Sequence, residues 1–203
     1  MKLFKKLIIL GLIALMVIMV LNVIPIGIKG YEMYREATEA IAISDRIDQL
    51  KGDESYVTID QISPYFLEGV IEAEDRRFYE HNGINLISTT RAMLKNIVAG
   101  TTLEGGSSIT QQLAKNMYFT FEKLYERKVA ELLVAFELEK AFTKTEILEY
   151  YCNISYFGEG QYGIKEASIH YYGVEPIALT ETQAMSLVRT LKSPNYYNPN
   201  TLP

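Results

Sequence analysis

A chain of 203 residues with a net charge of −5 has room for one domain plus an attachment, and it offers no global positive field to nucleic acid. No Lys/Arg-rich tract supplies such a field locally, so an anionic ligand has to be met by a small cluster of cations. The single cysteine, Cys152, excludes an internal disulfide framework and reads as a small buried hydrophobe.

The first element is KKLIILGLIALMVIMVLNVIPIGIKG. From Leu7 to Ile28 it is uncharged and broken only by Asn22, long enough as a helix to cross roughly 30 Å of hydrocarbon. The run exceeds the apolar core of a cleaved leader and no A-x-A-like site follows it, so an uncleaved anchor is predicted over residues 1–28. Lys2, Lys5 and Lys6 on one side face Lys29, Arg35 and Arg46 on the other, so charge counting barely favours a cytoplasmic N-terminus. Next, YEMYREATEAIAISDRIDQLKG reads as one amphipathic helix ending near Gly52, and YVTID as an extended link, together a juxtamembrane segment over 29–58.

The remaining domain, 59–203, opens with Ser63-Pro64 as N-cap and first-turn proline of a helix through PYFLEGVIEAED. Capping-box spacing marks three later starts: Ser108-x-x-Gln111, Thr143-x-x-Glu146 and Thr180-x-x-Gln183. Alternating strand-like runs are almost missing, so the fold class is mainly α, with a glycine-rich loop at GEGQYG and a stop at Ser193-Pro194.

Three stretches could carry chemistry. On the PYFLEGVIEAED helix, Phe66, Leu67, Val70 and Ile71 share a stripe whose continuation is Glu74, while Glu72 points away. A carboxylate there is either a helix end reaching water or an acid–base group in a cleft. In RKVAELLVAFELEKAF, Leu124, Ala135, Leu138 and Phe142 lie in a narrow arc with Glu131 at its centre, and Val129, Leu133 and Phe136 cover the other side. Such a helix is expected to be buried, and Glu131 then needs a partner, which Arg127 one turn earlier can supply. The alternatives are a structural ion pair and an active-site acid.

The third stretch, LEGGSSITQQLAKN, couples Gly105-Gly106 to a capped helix whose first-turn amides form a candidate anion site. Lys115, Lys123 and Arg127 together suggest a pocket for phosphate oxygens, in keeping with a phospholipid-like substrate for an anchored protein. His81 and His170 lie far apart with no H-E-x-x-H spacing, which argues against a zinc site.

EDRRFYEHNGIN, GGSSITQQLAKN, RKVAELLVAFELEK, KTEILEYYCNISYFGEGQYGIKEASIHYYG and LTETQAMSLVRTLKSPNYYNP resemble, in order and spacing, the five motifs of family 51 glycosyltransferases. These are the peptidoglycan glycosyltransferases found alone or within bifunctional penicillin-binding proteins. The resemblance, over roughly residues 60–199, implies a lysozyme-like helical domain on the outer face of the cytoplasmic membrane. It implies polymerisation of lipid II into β-1,4-linked glycan, with lipid II, the growing strand, the membrane and other cell-wall synthesis proteins as partners. Glu74 matches the family's general base and Glu131 its second essential glutamate, which assists departure of the pyrophosphate directly or through a divalent cation, Mg or Mn; no cofactor is otherwise required. Ser107, Gln111, Gln112, Lys115, Lys123 and Arg127 match residues lining the donor cleft, and Asp75, Arg77 and Phe78 match the motif around the base.

Those roles suit the chemistry. A sugar pyrophosphate already carries a good leaving group, so a base, cationic stabilisation and alignment suffice, and one displacement gives inversion without a covalent intermediate. Lys123 stands where the family usually has arginine and loses the bidentate fork, Cys152 replaces a usual leucine, and Ser108 a usual threonine. The sequence stops at Pro203 with no transpeptidase region after it, which reads as monofunctional. Two other readings stay open: a lytic glycan-cleaving enzyme of similar fold using Glu74 as an acid, and a non-catalytic scaffold that binds lipid II.

Overall fold

A computed structural model describes residues 2–100, 105–119 and 125–201. Among the described residues the architecture is helical throughout, with one isolated antiparallel bridge, Tyr156 to Tyr162, across the GEGQYG loop.

The N-terminal helix is longer than the anchor alone requires. Helix α1 (Lys2–Ile18) passes through a π turn (Met19–Val23) into α2 (Ile24–Ala40) without a break at residue 28. The 37 residues of Phe4–Ala40 would measure about 55 Å as a helix, against about 30 Å of hydrocarbon. The surplus belongs to the domain. The π turn lies just before Pro25, whose ring would meet the carbonyl of Leu21 in a regular α register. Asn22 donates its side-chain amide to the Ile18 carbonyl at 3.0 Å, so the one polar residue of the run satisfies a backbone acceptor locally.

The single amphipathic helix expected from Tyr31 to Gly52 is two helices. Ile41 and Ala42 are extended, and α3 (Ile43–Lys51) starts afresh. The break serves two packing partners: α2 lies along α7 (Tyr125–Ala141), whereas α3 buries Ile47 against α8 (Lys144–Ile154). Helical periodicity sees both stripes but not that they point at different neighbours. Gly30 marks the α2–α7 crossing, where a Cβ would sit 2.5 Å from the Val129 Cβ and 2.7 Å from the Glu126 carbonyl oxygen.

The YVTID link is held by side chains instead of a sheet. Val57 donates its N–H to Asn153 Oδ1 at 2.9 Å and accepts from Asn153 Nδ2 at 2.8 Å. Glu149, one turn earlier on α8, accepts from the Tyr56 hydroxyl and the Ile59 N–H.

Helix α4 (Pro64–Glu74) starts at Ser63-Pro64, but the Ser63 hydroxyl donates to the Leu179 carbonyl and does not cap its own helix. The three capping boxes form as expected, at the starts of α6 (Ile109–Tyr118), α8 and α10 (Glu181–Lys192). Helices α5 (Leu86–Ala99) and α9 (Ile164–Tyr172) complete the set. The core forms where α6 packs on α7 and α8, with α4 and α10 paired beside it, around Phe66, Leu113, Val134, Leu138 and Tyr151. Each such apolar side chain, fully buried, contributes about 1.5–3 kcal/mol before entropy is subtracted. Cys152 is buried as expected, and burial pushes its thiol well above the usual range.

Candidate active site

The α4 stripe is buried through Phe66 and Val70 and runs out at Glu74, the last residue of the helix. Glu74 is half-buried and accepts a hydrogen bond from Gln112 Nε2 at 2.8 Å. Glu72 points away, as the wheel predicts, and pairs with Arg76 on the surface. The next residue, Asp75, is 4% exposed and faces inward. Its Oδ1 accepts from Asn85 Nδ2 at 2.9 Å, and its Oδ2 lies 2.8 Å from His81 Nε2 and accepts the Ile109 N–H at 3.2 Å. Asp75 thus binds the end of α4 to the start of α6.

That contact revises the role expected for the α6 N-terminus. Three of its amides are engaged by the protein: Ile109 on Asp75, Gln111 on the Ser108 hydroxyl, and Gln112 on the Ser108 carbonyl. The anion favoured by the helix dipole is Asp75 itself. Gln111, buried, returns its Oε1 to the Ser108 N–H, closing the capping box. Further along α6, Gln112 bonds to Glu74, and Lys115 lies in the field of Glu74 and of Glu131 on α7.

Helix α7 supplies the second acid. Glu131 is 2% exposed, with Arg127 Nε 2.8 Å from its Oε1 and Lys128 Nζ 2.9 Å from its Oε2. Lys128 Nζ also donates to the Ser107 hydroxyl at 2.7 Å, linking the loop before α6 to the buried carboxylate. The helix is less uniformly buried than its composition suggests: Ala130, Val134, Ala135 and Leu138 are inside, while Phe136 is exposed. Lys115 lies within the field of both acids. Burial lowers its pKa from the ordinary lysine value; the charge of Glu131 works against that, Arg127 and Lys128 add to it, and Glu74 opposes it.

Of the residues singled out from sequence, Glu74 and Gln112 are in direct contact, as are Arg127 and Glu131, with Ser107 joined to them through Lys128 and Lys115 in the field of both glutamates. Arg77 is turned outward, its Nε 2.7 Å from Glu80. Phe78 is in the core with Lys144 Nζ 4.5 Å above its ring. Lys123 and Leu124 lie outside the described residues. Two contributors escaped the sequence reading: Lys128, which its place three residues before Glu131 on one helix face could have revealed, and Tyr151, which donates to Gln112 Oε1 from 39 residues away and has no local signal. An open cavity of about 640 Å³ lined by Leu50, Asp53, Asn153 and Tyr162 shares no residue with this cluster.

Against this geometry, the transglycosylase sequence family matches residues 43–203. The chain belongs to the transglycosylase family. Its transglycosylase match takes in α3 and every later helix, so α3, placed by sequence in a juxtamembrane segment, falls within the family's extent. Penicillin-binding protein 1F of Bacillus subtilis (strain 168) is 39% identical over 207 residues, which is 98% of this chain and 29% of that protein. The monofunctional glycosyltransferase of Staphylococcus aureus (strain JH9) is 36% identical over 172 residues, 80% of this chain and 64% of that protein. Penicillin-binding protein 1A of Aquifex aeolicus (strain VF5) is 41% identical over 144 residues, 71% of this chain and 20% of that protein. The transglycosylase chain thus spans between 20% and 64% of the length of these relatives.

Proposed function

We propose that this transglycosylase polymerises lipid II into β-1,4-linked glycan by inverting displacement of polyprenyl pyrophosphate, with Glu74 as general base. The observation that carries the reading is a pair of glutamates with unlike surroundings and one lysine, Lys115, in the field of both: Glu74 faces a neutral amide, and Glu131 is held among cations. A carboxylate without an ion pair among the described residues is suited to take a proton. As the acceptor's 4-hydroxyl attacks the donor's anomeric carbon, its proton passes to Glu74; the new C–O bond forms and the bond from that carbon to the pyrophosphate oxygen breaks. Negative charge then grows on the leaving pyrophosphate, and Lys115, Arg127 and Lys128 form the cationic lining that stabilises it. Glu131 orients Arg127 and Lys128 and offsets the mutual repulsion of these buried cations. In this reading Ser107 lies on the donor side, Gln111 supports it by closing the capping box of α6, and Asp75, Arg77 and Phe78 belong to the segment that places the base; for Lys123 the donor-side role rests on the motif match alone.

Among the described residues, the side chains around Glu131 do not make a protein-held Mg or Mn site. Both its oxygens lie against cationic nitrogens, and among the described residues no three His, Cys, Asp or Glu side chains converge. The apolar Phe4–Ala40 helix fits a membrane anchor, and we place the domain on the extracytoplasmic face, where a lipid-linked sugar would be polymerised. A lytic action on neutral glycan would leave the Lys115, Arg127 and Lys128 cluster without a task. Incubating the purified protein with labelled lipid II should give glycan polymer. Binding without polymer would favour a scaffold, and cleavage of preformed glycan a lytic enzyme.

A further inference from the structure

Tyr151 takes no direct part in the proton transfer, yet it is in hydrogen-bond contact with the residue that touches the base. It sits on α8, is 1% exposed, and donates its hydroxyl to Gln112 Oε1 at 3.1 Å; the nitrogen of the same amide donates to Glu74 Oε2 at 2.8 Å. The three side chains come from α8, α6 and α4, so the chain of bonds ties three helices together at the reacting carboxylate.

A glutamine amide has two unlike ends. Its nitrogen only donates, its oxygen only accepts, and a half-turn of the terminal torsion exchanges them. An ionised carboxylate only accepts. The orientation that serves Glu74 therefore has the nitrogen toward it, while the turned amide would set oxygen against oxygen. Nothing in the Gln112–Glu74 contact alone prevents the turned form when the carboxylate takes up a proton and becomes a donor itself. At that moment in turnover the amide could follow the proton, and the base would then have to be reset before the next addition. With the nitrogen on the ionised carboxylate, the amide oxygen on the far side needs a donor of its own. Tyr151 supplies it: burial holds its phenol well above its usual pKa and the charge of Glu74 pushes the same way, against a hydrogen bond with Ser155, so the hydroxyl keeps the proton it donates.

We propose that Tyr151 is a positioning residue for the base: its hydroxyl satisfies the Gln112 amide oxygen while the amide nitrogen holds Glu74, and so keeps the carboxylate aimed through successive proton transfers. The inference rests on Glu74 being the base, and it assigns Gln112 a task beyond contact with substrate.

The test uses full-length protein and lipid II, with kcat, KM and thermal melting measured for Tyr151→Phe, Gln112→Ala and the double variant, and Glu74→Gln alongside. Tyr151→Phe should lower kcat by about tenfold, the scale of one ordinary hydrogen bond, with KM within about twofold. In the Gln112→Ala background the same change should cost nothing further, because Tyr151 acts only through that amide. Two residues of similar shape guard against a folding failure. p-Aminophenylalanine in place of Tyr151 keeps a donor and should restore kcat, whereas p-fluorophenylalanine fills the space without a donor and should not. An unchanged kcat in folded Tyr151→Phe, an equal loss in both backgrounds, or equal rates for the amino and fluoro forms would overturn the proposal. If Glu74→Gln is inactive while Tyr151→Phe is normal, only the positioning role falls; if Glu74→Gln remains active, the base reading falls and takes this one with it.

Discussion

Asp75 accepts the backbone N–H of Ile109 at 3.2 Å, so the residue next to the candidate base caps the helix that carries Gln112 and Lys115. The register of α4 on α6 is thereby set by one buried carboxylate, which also holds Asn85 and His81. Replacing it, Asp75→Ala, orphans a backbone N–H and two side-chain groups at once. At about 1–3 kcal/mol for each unsatisfied buried group, a loss of about 3 kcal/mol or more is expected, with kcat falling as the Gln112–Glu74 contact loosens. Denaturant unfolding of the variant checks this, and stability within error of the parent would show that α6 is positioned by other contacts.

Glu74→Gln preserves the shape of the side chain and removes its ability to take a proton. We expect an intact fold, retained binding of lipid II and no polymer, since among the described residues the hydrogen bond at stake is the one from Gln112. Binding and turnover should be measured on the same preparation. Near-normal turnover by the folded variant would end the assignment of Glu74 as the base.

Glu131 is the counter-ion of two cations, so its removal should damage stability as well as activity. Glu131→Ala leaves Arg127 and Lys128 crowded together with Lys115 nearby, and a cost of about 3–5 kcal/mol is expected for breaking so buried a pair from one side. Lys128→Ala should be milder, because that side chain is partly exposed and Arg127 remains on the carboxylate. Thermal melts run beside kinetics separate the two effects. Unaltered stability and rate in Glu131→Ala would make the residue peripheral.

The sequence made the helices legible where local chemistry decides them. Serine or threonine caps at 108, 143 and 180 all close their boxes, and the stripe through Phe66 and Val70 is buried. It misled where tertiary partners decide. The break at Ile41 exists because α2 and α3 face different helices, and Ser63 donates to the carbonyl of Leu179, far along the chain, and does not cap its own helix. Glu74 and Glu131 could be picked out by wheel geometry, and Arg127 by its one-turn spacing. Asp75 as the cap of a helix 34 residues away, and Tyr151 behind Gln112, rest on long-range proximity that no spacing rule encodes.

Lys115 should give stability and activity opposite trends with pH. Its folded-state pKa lies below the unfolded value because of burial, so the unfolded chain holds the proton more firmly. Below the folded pKa the burial penalty is felt in full; between the two values the unfolded state binds more protons, and stability rises with pH. Binding of a pyrophosphate needs the ammonium, and that is lost as pH rises through the folded pKa, earlier than for an ordinary lysine. KM for lipid II should therefore climb on the alkaline side while melting temperature does not fall. Lys115→Arg keeps its charge and should delay the climb. A KM–pH profile identical in the two proteins would show that Lys115 does not set the alkaline limb.

The last expectation concerns the anchor, because α2 belongs both to the apolar helix and to the packing on the helix that carries Glu131. Gly30 touches Val129 and the Glu126 carbonyl so closely that Gly30→Ala must move backbone, at a cost of about 1–3 kcal/mol. Two truncations separate packing from membrane attachment. A form starting at Ile24 keeps Gly30 and all of α2, and should melt like the full chain. A form starting at Tyr31 loses the crossing and should melt lower. Holding enzyme and a polyprenyl substrate in one interface raises their effective concentration without new contacts. In liposomes both truncated forms should therefore polymerise lipid II more slowly and into shorter chains than the full-length protein. In detergent with a short-chain substrate the Ile24 form should match it, since no common interface then exists to be lost. Rate and product length measured for all three proteins in both media decide the matter: equal performance of the Ile24 form in liposomes would reduce the first 23 residues to a tether with no bearing on turnover.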